Sequence, residues 1–273
     1  MRHAEPIALS NLDLFSRLYP RLRNTVDPAE TFADEIRAAE AEYIEQCERQ
    51  NFGYDTRVTL PSGLLKTQMV SLYESHLRGG SGREVYDLII EGEHGTNKCC
   101  YCNIRAADTA DHYKEKAEHP LLAVCPRNLI PSCSKCNEKQ KGVREKFNPF
   151  YDDLGGALWL RCTLEWARHK RGMGPDTIPG MRFSVIPGFL PDTALVGRVS
   201  ATFKAANLSK RWATEYADVI GRIHRKASKL SRQHDRKFIV DEMIQYDWQP
   251  PNSPYQVLLK TVRDSDWLRD LKG

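Results

Sequence analysis

Two cysteine pairs constrain this chain more than any other feature. Cys99/Cys102 and Cys133/Cys136 each have CxxC spacing, the bite that clamps one side of a tetrahedral zinc, and two such pairs complete a closed site. Zinc ribbons usually leave about 15–20 residues between their pairs. Here residues 103–132 intervene, 30 in all, and they hold Asp111, His112 and Asn128, with Asn137 directly after the second pair. A spacer carrying a carboxylate, an imidazole and an amide does chemistry as well as closing a loop. The unit reads as a reaction site stapled by a structural zinc.

The other four cysteines, Cys47, Cys100, Cys125 and Cys162, are scattered. A secreted chain seldom groups cysteines this way, and in a reducing compartment metal binding is the usual function of CxxC pairs. Cys100 and Cys125 lie near enough to the site to be alternative ligands, against the simpler reading of small buried hydrophobes. The first residues, Met1 to Glu5, lack the apolar core of a signal peptide. No apolar run approaches the ~20 residues of a membrane-spanning helix. The expectation is a cytoplasmic chain with no membrane partner.

A net charge of +4 does not announce a polyanion partner, but its distribution is uneven. Residues 30–50 carry seven acids (Glu30, Asp34, Glu35, Glu40, Glu42, Glu45, Glu48) against Arg37 and Arg49. Residues 204–237 carry ten Lys and Arg against three acids. Such asymmetry points to nucleic-acid contact on one side, or to two solvated faces.

The fold class expected is mainly α with a small α+β insert. Helical regions at 1–94 and 153–273 flank a zinc-stapled ββα core at 95–152. Asp27-Pro28-Ala29-Glu30 supplies an N-cap, a first-turn proline and a capping-box glutamate. Phe32, Ile36, Ala39, Tyr43 and Cys47 then form an apolar stripe, with the acids as a solvated face or a partner-docking surface. A second helix spans Leu64 to Leu77 and stops at Gly79-Gly80. A third opens at Ser81, with Glu84 three residues on, and turns Val85, Leu88 and Ile89 towards the zinc unit. Between about 97 and 150 the helical period fails. Knuckles at the cysteine pairs, a strand around Asp111–Lys114, a return strand near Leu129–Ile130 and a short helix to Lys141 are predicted there. Helices resume at Leu158, around a Gly/Pro-rich stretch (172–191) holding one strand, Arg182–Ile186. The longest helix covers Ser209 to about Tyr246, with a break near Asp235. It carries an apolar line (Trp212, Tyr216, Val219, Ile223, Ala227, Leu230) and a basic one (Arg222, Arg225, Lys229, Arg232, Arg236).

Hydrolysing a phosphodiester needs an activated water, charge to offset the crowded transition state, and help for the leaving oxygen. One divalent cation and one general base can provide this. Asp111 offers a hard oxygen ligand and Asn137 a neutral one for Mg²⁺ or Mn²⁺. On a strand, adjacent side chains point to opposite faces, so Asp111 and His112 address the metal and the water from different directions rather than competing for one ligand position. His112 is the natural base, with an ordinary pKa of about 6.5. Asn128, at the start of the return strand, braces the hairpin that presents it. Lys141 faces the scissile phosphate or is an ordinary exposed lysine.

The order CxxC, Asp-His, Asn, CxxC-Asn, Lys-Gly resembles the HNH endonuclease family in its HNN form. The carrying residues are Cys99-Cys100-Tyr101-Cys102, Ala110-Asp111-His112-Tyr113, Asn128-Leu129-Ile130-Pro131 and Ser132-Cys133-Ser134-Lys135-Cys136-Asn137. The resemblance implies a ββα-metal finger in which His112 is the general base, Asn128 orients it, and Asp111 and Asn137 hold the catalytic metal. The four cysteines would bind zinc. It also implies hydrolysis of DNA, occasionally RNA, usually leaving a 5′-phosphate. Glu115 departs from the proline that many relatives carry before the lysine matching Lys116. The match covers only about 50 residues. More loosely, the helical arm before the finger and Asn148-Pro149-Phe150 after it are similar to stand-alone HNH nucleases of bacterial anti-phage systems such as Septu, which implies an ATPase or other regulatory subunit as partner.

The competing reading is a catalytically silent, zinc-stabilised nucleic-acid-binding or adaptor protein. Under it the CxxC pairs are purely structural and the basic helix is a phosphate track or a solvated face. His119, in the loop before Pro120, is expected to be an exposed loop histidine, against the alternative of a phosphate contact. His76, His94, His169, His224 and His234 have no partner pattern.

Overall fold

The computed structural model describes residues 1–19, 32–54, 64, 66–92, 97–154, 156–166, 178–247, 249 and 252–271. The chain divides into two compact units, Met1–Asp153 and Leu154–Gly273. Both are mainly helical, and each contains one two-stranded antiparallel sheet.

In the first unit, α1 (Asn11–Leu18) starts at a reciprocal cap: Ser10 Oγ accepts from Asp13 N–H, and Asp13 Oδ2 accepts from Ser10 N–H. Helix α2 (Ala33–Glu48) buries Ile36, Ala39, Tyr43 and Cys47, with Phe32 buried just before it. That is the predicted stripe, and full burial of each large member stabilises by about 1.5–3 kcal/mol. The Asp27–Glu30 cap lies outside the described residues. Glu40 departs from the solvated acidic face. It is buried, accepts from Asn11 N–H at 3.0 Å and from the Cys125 thiol at 3.7 Å, and burial raises its pKa.

Helix α3 (Lys66–Ser71) runs into a π-helical turn, Leu72–Leu77, in which Arg78 N–H reaches back five residues to Tyr73 O at 2.8 Å. The extra residue per turn brings Leu72, Tyr73 and Leu77 inward together. Helix α4 (Arg83–Glu91) follows, but its N-cap is Gly82 rather than Ser81, and it buries Tyr86, Ile89 and Ile90. Leu88, expected inside, is 38% exposed. The inward face is rotated by one position because Tyr86 spends its hydroxyl on the sheet beside it.

Strand β1 (Thr109–His112) and β2 (Leu129–Ser132) form the hairpin, and α5 (Ser134–Gln140) completes a ββα unit. Two 3₁₀ turns, Pro120–Leu122 and Pro126–Asn128, fold the connecting loop.

The second unit opens with a strand where a helix was expected. β3 (Leu160–Glu165) pairs with β4 (Gly180–Val185), from Leu160↔Val185 to Glu165↔Gly180. Leu160 and Cys162 are buried while Arg161 and Thr163 are exposed, a period of two that the sequence already carried. Trp212 is the centre of the core, with Phe183 and Phe203 rings at 5.6 Å and Trp159 at 6.5 Å.

Helix α6 (Thr193–Ala205) is capped by Asp192, whose Oδ1 accepts from Leu195 N–H. The helix predicted for 209–246, with a break near Asp235, is three: α7 (Leu208–Glu215), α8 (Ala217–Ala227) and α9 (Gln233–Gln245), so one break falls near the predicted place and another at Tyr216. Tyr216 leaves helical geometry (φ −99°, ψ 8°) and packs its ring on Tyr255. At the second break the buried Arg236 turns back to donate to Leu230 O at 2.9 and 2.7 Å and to Arg269 O at 3.1 Å. Helices α10 (Pro254–Arg263) and α11 (Asp266–Asp270) are capped by Ser253 and Ser265. Helix α7 packs on β4 and α10 on β3.

Candidate functional site

The four sulfurs of Cys99, Cys102, Cys133 and Cys136 are buried and lie within 4.8 Å of one another, with Cys102 Sγ and Cys133 Sγ 3.9 Å apart. Tetrahedral coordination at a Zn–S distance of about 2.3 Å puts sulfurs about 3.8 Å apart, so the cluster fits one metal ion such as zinc. Each pair is a tight turn. Asn103 N–H bonds Cys99 O at 2.9 Å with Asn103 in the left-handed region (φ 55°), and Cys136 N–H bonds Cys133 O at 2.9 Å. The Cys102 thiol is pushed far down, by hydrogen bonds from Cys133 first and then from Cys136 and Cys99, while burial pushes Cys99 up. Sulfurs this close ionise together only around a cation. Cys100 and Cys125 are buried outside the cluster, as small hydrophobes.

The cluster is tied to the hairpin at both ends. Cys100 N–H donates to Pro131 O at 3.0 Å, and Asp108 Oδ1 accepts from Ser134 N–H at 2.6 Å, capping α5. Pro131 has no N–H, and its register partner on β1 is Ala110. Ala110 therefore turns its own polar groups away from β2. Its N–H meets Tyr86 Oη at 3.2 Å, and its carbonyl receives Tyr73 O–H at 3.2 Å and Asn137 Nδ2 at 3.3 Å. The outer edge of β1 is the point at which α5, the π-helical turn and the hairpin converge.

His112 closes β1 beside this edge. Its ring centroid is 4.3 Å from that of Tyr73, and its Nε2 lies 2.8 Å from Ala123 O. A carbonyl only accepts, so Nε2 carries the proton, and Nδ1 has no partner among the described residues. Burial against these groups holds the imidazole down to about 3, which keeps it neutral at neutral pH. Asn128 is fully buried. Its Oδ1 accepts from Lys114 N–H at 2.7 Å, and its Nδ2 donates to Lys114 O at 3.0 Å and Leu122 O at 3.1 Å. It thus ties Lys114, two residues past β1, to the turn that leads to Ala123. An Asn128→Ala substitution removes three buried hydrogen bonds to the backbone, and a loss of about 2–4 kcal/mol is expected, read as a lower midpoint in urea unfolding.

Asp111 occupies the other face of β1. Its Oδ2 accepts from Tyr101 O–H at 2.7 Å and pairs with Lys146 Nζ at 2.6 Å, with the two charged side chains 6% and 3% exposed. Asn137 donates through Nδ2 to Thr109 Oγ1 at 2.5 Å and to Ala110 O. Thr109 and Asp111 share a face by the period of two, so Asn137 stands on Asp111's side. Asp111 Oδ1 and Asn137 Oδ1 have no hydrogen-bond donor among the described residues. One carboxylate oxygen and one amide oxygen are the hard donors that Mg²⁺ or Mn²⁺ takes, with orienting hydrogen bonds on the atoms behind them. Asn137 and His112 thus both approach β1's outer edge, through Ala110 O and Tyr73, while Asp111 is held on the face where Lys146 sits. His112, Thr109 and Asn137 are all partly exposed.

A cavity of about 630 Å³ lies behind the hairpin loop, lined by Tyr54, Tyr113, Lys114, His119 and Lys146 among others. Neither Asp111, His112 nor Asn137 lines it. His119, expected to be exposed, is buried in this wall, its backbone N–H held by Glu115 O at 2.8 Å. Lys141 is exposed at the end of α5.

No family model and no solved structure matches the chain. Two curated proteins are similar to parts of it. The Septu protein PtuB of Bacillus thuringiensis is 40% identical over 97 residues, covering 33% of this chain and 37% of that protein. Protein ea31 of Escherichia phage lambda is 35% identical over 101 residues, covering 33% of each. The matches thus span about a third of the length of these relatives.

Tyr101, Lys146 and Tyr73 contact the site residues and were missed by sequence reasoning. Tyr101 carried a signal, since its place inside the first CxxC ties its hydroxyl to the metal knuckle. Lys146 and Tyr73 lie 35 residues after Asp111 and 39 before His112, and carried none. Among the described residues, no helix is long and apolar enough to cross a membrane.

Proposed function

We propose that this chain is a metal-dependent endonuclease of the HNH type that hydrolyses phosphodiester bonds of DNA, with residues 95–152 as its reacting module. The single observation carrying this reading is His112, its Nε2 committed to Ala123 O and its Nδ1 left to accept a proton at the partly exposed end of β1. In the proposed reaction Nδ1 takes a proton from water as the water oxygen bonds to phosphorus and the bond to the leaving oxygen breaks. Asp111 and Asn137 would hold Mg²⁺ or Mn²⁺, which supplies positive charge to the phosphoryl oxygens. Tyr101 and Lys146 fix the Asp111 carboxylate, and Asn128 fixes the loop that orients His112.

The similarity to a Septu protein supports an anti-phage setting. The resemblance to stand-alone defence nucleases supports an ATPase or other regulatory subunit as partner. One observation favours the silent-adaptor reading: the Asp111 carboxylate already has a buried ammonium as counter-charge. A plasmid-nicking assay separates the two. The nuclease converts supercoiled DNA to open circles with Mg²⁺ or Mn²⁺ and does nothing in EDTA. A protein that leaves the plasmid intact at every concentration of either metal, with its partner subunit present, is the adaptor.

A further inference from the structure

Dividing the predicted long helix into three changes what its basic line presents. Arg236 leaves that line entirely, buried with its guanidinium bound to Leu230 O and Arg269 O. What remains is concentrated on α8 and the turn after it. Helix α8 buries Val219, Ile220, Ile223 and Ala227. The opposite face exposes Arg222, Arg225, Lys226 and, just beyond the helix, Lys229, followed by Arg232. None of these five makes an ion pair with a described residue. Asp218 is the one acid on the same face of α8, and it makes no ion pair there either. From Arg222 to Lys229 the track runs about 10 Å at 1.5 Å per residue, long enough to run past two or three successive phosphates of one strand, which rise about 3.4 Å each along the axis.

We infer that this α8 track binds the phosphate backbone of nucleic acid. The choice of polyanion rests on the nuclease reading above; the track itself does not. Cations at a helix C-terminus also favour the helix dipole, but that accounts for the last turn and not for Arg222, near the middle of α8. No exposed aromatic ring stands among the five cations, so the chemistry offered is charge and hydrogen bonding to phosphate without base stacking. Contacts of this kind are indifferent to sequence and weaken steeply with salt.

The test is fluorescence anisotropy of the full chain on labelled duplex DNA, single-stranded DNA and RNA of equal length, with no added divalent cation, across a KCl series. Cleavage does not enter the readout, so failure here and failure of the nuclease reading are separable. Arg222→Glu/Lys229→Glu is compared with Lys204→Glu/Lys210→Glu, which changes net charge equally at two exposed lysines outside the track. The track variant is expected to lose at least about tenfold in affinity near 0.1 M salt, and its log–log salt slope to fall by about 2, one for each phosphate contact removed. The control pair is expected to stay within about twofold of the parent. If α8 unfolds in the glutamate variant, seen as lost ellipticity, the glutamine pair at the same positions is used, with the same slope change expected. Equal losses in track and control variants, an unchanged slope, or binding to anionic-lipid vesicles but to none of the three nucleic acids would overturn the inference.

Discussion

A Cys133→Ser chain is expected to be unable to fold its first unit. The four sulfurs have no reason to share a buried space except a cation, and binding free energy at a closed zinc site of this kind is about 10–16 kcal/mol. That is as large as the whole stability of an ordinary domain, about 5–15 kcal/mol. The loss propagates because the cluster anchors both strands. Cys100 N–H holds Pro131 O, and the second knuckle begins the helix that carries Asn137. Circular dichroism and zinc stoichiometry should show lost ellipticity with less than one zinc per chain, and stripping the metal from the parent with a strong chelator should reproduce the spectrum. Cys100→Ser and Cys125→Ser are expected to keep the metal, since neither sulfur belongs to the cluster.

The second large effect is predicted at Lys146. Its ammonium and the Asp111 carboxylate are both almost fully buried and 2.6 Å apart. Lys146→Met leaves that carboxylate without its counter-charge, and removing one partner of a buried pair costs about 3–5 kcal/mol. Chemical denaturation should show a fall of that size. The double substitution Lys146→Met/Asp111→Leu should recover much of it, because replacing both charges with apolar groups removes the desolvation cost as well. A single variant as stable as the parent would mean that the pair is not formed in solution.

Legibility in this chain follows the range of the interactions. The apolar stripe of α2, the two knuckles, both hairpin strands and the short helix after the second knuckle are all set by neighbours a few residues apart, so spacing alone exposed them. The β3 strand was just as local, since Leu160 and Cys162 alternate with exposed partners, but six residues of alternation were overlooked among helical surroundings. Within 209–246 the sequence marked a break near Asp235, which the structure has at 228–232, but neither its cause nor the break at Tyr216 was legible. Arg236 fits a basic helical line until its guanidinium finds Leu230 O and Arg269 O, and Tyr216 fits an apolar one until its ring meets Tyr255. At the candidate site, Asp111, His112, Asn128 and Asn137 stood out by order and residue type. Their supports did not. Tyr73 reaches the strand edge through a π-helical turn that leaves no mark on hydrophobic periodicity, and Lys146 reaches Asp111 only from the segment after α5 has ended. The seven-acid run misled in one place, because Glu40 is a polar core residue shared between Asn11 and Cys125.

The claim on which the functional account depends is that His112 Nδ1 accepts a proton from the attacking water. The direct measurement is single-turnover cleavage of duplex DNA by His112→Ala and the parent, with Mn²⁺ and any partner subunit present, alongside zinc content and melting temperature for both proteins. The account predicts a rate lower by about 10²–10⁴, with one zinc per chain in each and melting temperatures within a few degrees. A variant that cuts as fast as the parent would contradict it.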